Sequence, residues 1–167
     1  MRTIGRRGLL LSATALAGVA LLSRYSSLSG PAVAADAQAF HVTHTDSEWR
    51  HLLTPIQYDI LRRQGTEPAG SSPLDAEERR GTYGCAGCAQ NLFSSQTKFH
   101  SGTGWPSFWQ PLDGAVATST DNTYFMERTE VHCSNCGGHL GHVFDDGPKP
   151  TGLRYCMNGA ALSFRAA

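Results

Sequence analysis

The stretch CSNCGGHLGHVF, residues 133–144, contains the residue types that decide how this chain folds. It opens with one CxxC pair, Cys133 and Cys136, and the earlier stretch CAGC supplies a second pair, Cys85 and Cys88. Each pair forms a short turn that points two sulfurs at one centre, and four such sulfurs make a closed tetrahedral zinc site. The sequence therefore predicts one structural zinc ion that joins two turns distant in the chain.

Other uses of the two CxxC pairs remain open at this point. Each pair could form a disulfide in an oxidising compartment. A thioredoxin-like redox pair is disfavoured, because no helix follows CAGC and no βαβ unit surrounds it. Iron–sulfur ligation has the right ligand type but no further support in the sequence.

Short segments with strand composition surround the two pairs, and Gly, Pro and Asn separate them. The segments read GTYGCAGC, LFSSQTKF, AVATST, TYFMERTEVHC, GHVF and LRYCMNGAALSF. Several are rich in aromatic and β-branched residues, and no βαβ rhythm follows. We therefore predict a mainly β fold with antiparallel sheets.

Two short helices are predicted before the strands. In the second, Thr54 is the N-cap, Pro55 takes the first helical position and Gln57 completes a capping box. Asp46 or Ser47 is expected to cap the first helix, and Gly65 to end the second. We expect the pair to be a scaffold without a catalytic role.

Residues 1–34 have the order of a signal peptide. A basic head is followed by a short apolar run and by small residues that end in Ala-x-Ala. Arg6 and Arg7 favour a twin-arginine signal, with ordinary secretion and an uncleaved anchor as alternatives. We predict a cleaved signal at 1–34, a flexible lead-in at 35–45 and one domain at 46–165, exported to a bacterial periplasm with no stable membrane insertion.

The charge of the chain excludes one class of function. Basic and acidic residues number 14 each, but four arginines and no acidic residues lie in residues 1–34. The remaining domain is therefore mildly acidic and has no basic run. This composition gives no support to nucleic-acid binding.

Cys156 is the one cysteine without a CxxC partner. Arg154 and Asn158 are each two residues away, so on a strand they share its face and can interact with a thiolate. His139 and His142 lie in a glycine-rich stretch and can transfer protons near neutral pH. A buried structural cysteine, or a histidine as zinc ligand, is the alternative.

Aromatic residues are concentrated in HSGTGWPSFWQP, residues 100–111. Glycines and prolines place this stretch on a predicted loop. Its aromatic side chains can pack into a satellite of the core or can form the wall of a small apolar pocket.

Several blocks of the chain together resemble the B-type methionine sulfoxide reductases, which reduce the R epimer of methionine sulfoxide. They are the CxxC pairs, SGTGWPSF, CxxCGGHLGHVFDDGPxPTGLRYCMN and AALSF, in the family's order between Asp46 and Phe164. The resemblance implies two antiparallel β-sheets, a four-cysteine zinc site opposite the active face, and oxidised methionine in proteins or peptides as substrate.

The resemblance also implies a role for each site residue. Cys156 is the expected nucleophile, and Trp105 is expected to hold the substrate's S-methyl group. His139, His142 and Asn158 are expected around the sulfoxide oxygen, with Arg154 and Asp146 in support. A sulfoxide sulfur becomes electrophilic when its oxygen is protonated, so attack by a thiolate beside an acid leaves methionine and a cysteine sulfenic acid.

Two positions depart from the family pattern. Thr103 stands where many members have a resolving cysteine, so a thioredoxin-like or other external thiol is the expected reductant. Gly159 replaces a usual serine, and we expect the loss of one hydroxyl only. A zinc-containing β module that binds protein partners and a general thiol peroxidase are the alternative functions.

Overall fold

The computed structural model describes residues 40–123 and 126–167, and this part contains two short helices followed by nine strands. The helices are α1 (Asp46–Leu52) and α2 (Pro55–Arg63). The strands are β1 (Gly81–Cys85), β2 (Asn91–Ser94), β3 (Lys98–Phe99), β4 (Ser107–Phe108), β5 (Val116–Asp121), β6 (Arg128–Cys133), β7 (His139–Phe144), β8 (Arg154–Met157) and β9 (Leu162–Ala166). The predicted signal peptide, 1–34, lies outside the described residues. Within the described ranges, no helix is long and apolar enough to cross a membrane.

The strands form two sheets in which every neighbouring pair is antiparallel. The smaller sheet has the order β2-β1-β9, and the larger has the order β3-β4-β8-β7-β6-β5. The prediction of a mainly β fold with two antiparallel sheets and short N-terminal helices is confirmed.

Aromatic side chains connect the two sheets. Phe93 of β2 and Phe108 of β4 stack with their ring centroids 4.3 Å apart, and Tyr83 of β1 meets Phe108 edge-on at 4.9 Å. All three are fully buried, and burial of each such ring contributes ~1.5–3 kcal/mol to folding. Phe108 thus anchors the aromatic stretch 100–111 to the core, next to the strand that carries Cys156.

The two helices begin with capping boxes, one as predicted and one a residue earlier. Thr54 caps α2 with Gln57 as its partner, which confirms the prediction. The N-cap of α1 is Thr45, whose side chain accepts from the Glu48 backbone N–H. The prediction of Asp46 or Ser47 was therefore wrong. Asp46 occupies the first helical turn instead, and its carboxylate accepts from Arg50 at 2.7 Å.

The end of α2 also differs slightly from the prediction. The helix stops at Arg63, and Gln64 takes the left-handed conformation with φ of 57°. Gly65 follows this turn rather than forming it. A Cβ on Gly65 would lie 2.3 Å from the Asp59 carboxylate, so the glycine is needed there for close packing.

The helices and the chain before them pack against the cysteine turns. A Cβ built on Gly138 would lie 2.9 Å from Leu61 of α2, and one on Gly137 would lie 2.3 Å from the Phe40 ring. Arg62 donates to the carbonyl of Cys136 at 3.0 Å. Of the predicted lead-in, 35–45, the described part begins at Phe40, and it is held against the second cysteine turn.

Candidate active site

The two CxxC turns have the same backbone geometry. The carbonyl of Cys85 accepts from the Ala89 N–H at 2.8 Å, and the carbonyl of Cys133 accepts from the Gly137 N–H at 2.9 Å. Ala89 and Gly137 both have positive φ, 59° and 66°. The backbone therefore reverses just after each second cysteine, which brings the two sulfurs of each turn to the same side.

The four sulfurs of these turns form one cluster, as predicted. All lie within 4.8 Å of one another, with Cys85 and Cys136 3.7 Å apart and Cys88 and Cys133 3.5 Å apart. Sulfurs ~2.3 Å from a tetrahedral zinc ion are ~3.8 Å apart, whereas a disulfide requires ~2.05 Å. The cluster therefore fits zinc, and the four cysteines are free of disulfides.

A row of side chains crosses the larger sheet at Cys156. Cys156 of β8 lies directly opposite Ser107 of β4 on one side and His142 of β7 on the other. His142 in turn lies opposite Glu130 of β6. Cross-strand partners share a face, so four strands place a hydroxyl, a thiol, an imidazole and a carboxylate side by side. Arg154, two residues before the thiol, is on this face as predicted.

Cys156 opens into a pocket of about 220 Å³. Its lining residues are Thr66, Trp105, Arg128, Gly141, His142, Phe144, Cys156 and Asn158. Four of the predicted site residues are therefore together here: Trp105, His142, Cys156 and Asn158. Gly141 forms part of the floor, where a Cβ would lie 2.1 Å from the Cys156 carbonyl, so only glycine allows this close approach of β7 to β8.

The other predicted residues lie around this pocket rather than in its lining. His139 borders an adjoining polar cavity of about 170 Å³, which shares Thr66, Arg128 and His142 with the pocket. Arg154 binds Asp146 through two hydrogen bonds of 2.8 Å. Its guanidinium also lies over the Phe144 ring, 4.4 Å from the centroid. Asp146 and, more weakly, Cys156 raise the pKa of Arg154.

Trp105 presents its ring to the pocket with its N–H already in use. The indole nitrogen donates to the carbonyl of Glu67 at 3.1 Å. The ring is therefore held in one orientation, and its contribution to a ligand is an apolar surface.

Two carboxylates fix the histidine rings. Nδ1 of His139 is 2.8 Å from Glu130, and Nε2 of His142 is 2.7 Å from Asp121. A carboxylate accepts only, so each of these nitrogens carries the proton. The nitrogens left for proton transfer are Nε2 of His139 and Nδ1 of His142. The first is buried and has no hydrogen-bond partner in the described residues.

Burial and hydrogen bonding set the charges of these groups. Burial lowers the pKa of His142, and the hydrogen bond to Asp121 only partly opposes this. His132, 3.7 Å away, and the hydrogen bond from His139 hold the pKa of Glu130 well below its usual range. The pKa of Asp121 is also held well below its usual range, mainly by hydrogen bonds from Thr123 and to a smaller extent by the one from His142. The carboxylates are thus ionised near neutral pH, and the charge of Asp121 offsets part of the effect of burial on His142.

The amide of Asn158 is held at both ends. Its Oδ1 accepts from the Glu67 N–H at 3.0 Å, and its Nδ2 donates to the Leu140 carbonyl at 3.1 Å. One hydrogen of Nδ2 remains available to a ligand. The buried carboxylate of Glu67 accepts from the backbone N–H groups of Gly159 and Ala160 at 2.5 and 2.9 Å.

Sequence reasoning missed three residues that support the site: Glu67, Asp121 and Glu130. Glu130 lies within the predicted segment TYFMERTEVHC, and Asp121 directly follows the predicted segment AVATST; an acidic residue at each of these strands was the available signal. Glu67 is in a segment without secondary structure, and nothing in its sequence neighbourhood indicated a buried position.

The two departures from the family pattern occupy different surroundings. The Thr103 hydroxyl is 3.8 Å from the Cys156 sulfur. A Cβ on Gly159 would lie 2.0 Å from Oγ of Ser72. A serine at position 159 would therefore have to displace Ser72. The expectation that only a hydroxyl is lost was incomplete, because the glycine also provides space.

A larger groove of about 740 Å³ lies beside the smaller sheet. It is bordered by Pro68, Leu74, Glu77 and Phe164 among others, and it includes neither a cysteine nor a histidine. The 220 Å³ pocket is therefore the better candidate for chemistry.

Fold and site together define a β protein with a four-cysteine cluster of metal-binding geometry and, apart from it, a single thiol in a histidine-lined pocket. Residues 53–166 match the family described as SelR domain, and the chain belongs to this family. It is similar to proteins named peptide methionine sulfoxide reductase MsrB. That of Leptospira interrogans is 56% identical over 127 residues, which cover 75% of this chain and 97% of the relative.

Two further relatives carry the same name. The Thiobacillus denitrificans protein is 57% identical over 121 residues, 72% of this chain and 92% of the relative. The Methanosarcina mazei protein is 52% identical over 124 residues, 74% and 89% of the two chains. The similarity thus covers nearly the whole length of each relative.

Proposed function

We propose that this protein reduces the R epimer of methionine sulfoxide in peptides and proteins, with Cys156 as the nucleophile. Membership of the family and the names of its relatives support methionine sulfoxide reduction. The observation that carries the assignment of the nucleophile is the position of Cys156, directly opposite His142 in a pocket walled by Trp105.

The pocket has separate places for the two ends of a sulfoxide. The faces of Trp105 and Phe144 are apolar and suit the S-methyl group. The sulfoxide oxygen accepts hydrogen bonds, and donors are found on the free Nδ2 hydrogen of Asn158 and on a protonated His142. Because methyl and oxygen are held at different places around a chiral sulfur, one epimer presents its sulfur to Cys156 and the other does not.

The reaction transfers one oxygen atom from substrate to enzyme. The Cys156 thiolate attacks the sulfur while a histidine protonates the oxygen, so an S–S bond to the substrate forms and its S–O bond breaks to release hydroxide. Hydroxide then adds to the Cys156 sulfur, and the S–S bond breaks with both of its electrons going to the substrate sulfur. The products are methionine and Cys156 sulfenic acid, so the sulfoxide gains two electrons and the thiol loses two. Asp121 and Glu130 orient the two imidazole rings for this proton transfer through their hydrogen bonds to His142 and His139.

An external thiol regenerates the enzyme. The other four cysteines contact one another, and none of them lines the Cys156 pocket. Thr103 occupies the adjacent position, where a resolving cysteine would have to be. One reductant thiol attacks the sulfenic acid and releases water, and a second then releases Cys156 as the thiol with formation of an external disulfide. A thioredoxin-like protein or a small thiol fits this role.

Cys85, Cys88, Cys133 and Cys136 would hold one zinc ion. Four thiolates fill its coordination shell, so the ion supplies folding energy and no open position for substrate. The ion would connect the turn after β1 to the turn between β6 and β7, and β7 carries His142.

We further propose that residues 1–34 direct export to the periplasm by the twin-arginine route. The support is the basic head with Arg6-Arg7, the short apolar run and the Ala-x-Ala end. Zinc bound before export would protect its thiols from oxidation. A reporter fusion whose export continues when both arginines are changed to lysine would contradict this route.

The deciding experiment is an assay of each sulfoxide epimer separately, in a blocked methionine derivative with dithiothreitol as reductant. We expect turnover of the R epimer only, and none by Cys156→Ser. Equal rates on both epimers would refute the proposed stereochemistry. Hydrogen peroxide is the control substrate: reduction of peroxide but of neither sulfoxide would identify a thiol peroxidase instead.

A further inference from the structure

Three hydroxyl groups connect the Cys156 sulfur to the backbone of Trp105. Thr103 Oγ1 is 3.8 Å from the sulfur, and Ser101 Oγ is 2.8 Å from Thr103 Oγ1. Ser101 Oγ is also 2.8 Å from Ser107 Oγ, which donates to the Trp105 carbonyl at 3.1 Å. Ser107 is fully buried. The chain thus joins the proposed nucleophile to the residue that walls its pocket.

The direction of these hydrogen bonds follows from counting hydrogens. A carbonyl oxygen only accepts and a hydroxyl has one hydrogen, so Ser107 uses its hydrogen on Trp105. Ser101 must then donate to Ser107, and Thr103 must donate to Ser101. The Thr103 oxygen is left to accept, which it does from the Cys156 S–H.

A thiolate cannot donate, so ionisation of Cys156 requires one change in this chain. If the Thr103 hydroxyl rotates, its hydrogen points to the sulfur instead of to Ser101. Ser101 still accepts from the Thr103 backbone N–H at 3.4 Å and still donates to Ser107. The rest of the chain therefore remains satisfied, and the reversal is confined to a single hydroxyl.

We propose that Thr103 is a reversible hydrogen-bond partner of the nucleophile, accepting from the thiol and donating to the thiolate, and that Ser101 biases it toward the thiol. Hydrogen bonds to charged groups are stronger than those between neutral groups, so Thr103 favours the thiolate overall. Ser101 competes for the Thr103 hydrogen and thereby weakens this stabilisation of the thiolate. That Thr103 activates Cys156 for catalysis rests on the proposed function.

The test measures alkylation of Cys156 by iodoacetamide from pH 5 to pH 9, followed on the Cys156 peptide by mass spectrometry. It needs no sulfoxide, so it is independent of reductase activity. His142, Arg154 and Arg128 also face this thiol or its pocket, and all three stay unchanged in every variant. Differences between variants therefore report on the hydroxyl groups.

Opposite shifts are expected for the two hydroxyl deletions. Thr103→Val should move the midpoint of the pH profile upward by about half to one unit, equivalent to a ~3–10-fold lower thiolate fraction below the midpoint. Thr103→Ser should leave it unchanged. Ser101→Ala should move it downward by a few tenths of a unit, since Thr103 then gives its hydrogen to the sulfur without competition.

The proposal would be overturned if Thr103→Val and Ser101→Ala moved the midpoint of the pH profile in the same direction, or if neither variant moved it. The Thr103→Ser and Ser101→Ala pair decides the matter even if Thr103→Val fails to fold, because damage to the loop does not predict a more reactive thiol. If the shifts occur in a protein that reduces neither sulfoxide epimer, the hydroxyl chain stands and the proposed function fails. If the protein reduces the R epimer but the shifts do not occur, the proposed function stands and the role of the hydroxyl chain is refuted.

Discussion

Replacing Glu67 with glutamine removes an acceptor from the turn that follows the proposed nucleophile. The Glu67 carboxylate is buried, with 4% of the residue exposed, and it accepts from two backbone N–H groups, at Gly159 and Ala160. An amide in its place offers one oxygen, so one N–H then faces an NH₂ group. The loss of a hydrogen bond to a buried charge costs about 1.5–3 kcal/mol.

The consequence for stability is large enough to measure. A domain of this size has a total stability of about 5–15 kcal/mol, and a loss of ~2 kcal/mol lowers Tm by about 5–10 °C. Glu67→Ala, which removes both acceptor oxygens, should cost about twice as much. Glu77→Gln is the comparison, because Glu77 borders the same groove but its hydrogen-bond donors belong to Arg79, whose side chain is exposed. We expect a clearly smaller shift in that variant, since water can replace the exposed partner.

Activity should fall together with stability, because Glu67 also contacts two residues of the pocket. Its carbonyl accepts from Trp105 and its N–H donates to Asn158, and a displaced turn at 159–160 moves these groups relative to Cys156. The assay is kcat/KM on the R epimer at 25 °C, where the variant remains folded, with zinc content as a check. Equal Tm for Glu67→Gln and Glu77→Gln would refute the hydrogen-bond argument. A lower Tm with unchanged kcat/KM would show that Glu67 supports only the fold.

Three further predictions concern the cysteines and the histidine pair. Cys133→Ser should lose zinc and the folded state together, measured by metal analysis and circular dichroism, and a stable, fully active zinc-free variant would contradict this. Thr103→Cys should form a disulfide with Cys156 after one turnover without reductant, whereas the wild type should give a sulfenic acid that dimedone traps; a wild-type disulfide to Cys133 would show that the cluster resolves it. The proximity of His132, 3.7 Å away, and the hydrogen bond from His139 lower the folded-state pKa of Glu130. The ionised Glu130 therefore stabilises the fold at pH values above its ordinary pKa near 4.5, and this stabilisation is lost as pH falls toward the folded-state pKa. Urea unfolding between pH 3 and 6 should therefore show a weaker loss toward acid in Glu130→Gln than in the wild type, and parallel curves would argue against this.

Local signals in the sequence were sufficient for the elements that depend on neighbouring residues. The capping box at Thr54 and the two CxxC turns each involve a few adjacent positions, and both form as predicted. The first helix shows the limit of such signals. Thr45, Asp46 and Ser47 all have side chains that can cap a helix, and the partner that decides between them, Glu48, lies three residues after Thr45.

Features that depend on long-range pairing were not accessible. β4 has only two residues, Ser107 and Phe108, inside a stretch of glycine, proline and aromatic residues that was predicted as a loop. It is a strand because β3 and β8 pair with it on either side. The segment after Glu67 likewise borders a large groove, and Glu67 itself is buried by contacts with residues more than ninety positions away.

The three-residue spacing of His139 and His142 could not show from the sequence alone that both side chains lie on the same face of the sheet. In a regular strand, residues three apart point to opposite faces, so His139 and His142 should not lie together. The pairing of β6 with β7 is irregular between Val131 and His132, so that Val131 lies opposite Gly141 and His132 opposite His139. This leaves Leu140 as one extra residue on β7, and such a bulge turns the side chains beyond it to the other face.

As a result, both rings lie on the side of the sheet that carries Cys156, with centroids 5.4 Å apart. The bulge is adjacent to the second cysteine turn, whose Cys133 N–H donates to the Gly138 carbonyl at 2.9 Å. The same turn thus fixes two of the clustered sulfurs and the point at which β7 begins. A metal bound there would therefore act on the chemistry indirectly, because the register of β7 determines whether His139 reaches Glu130 while His142 reaches Asp121.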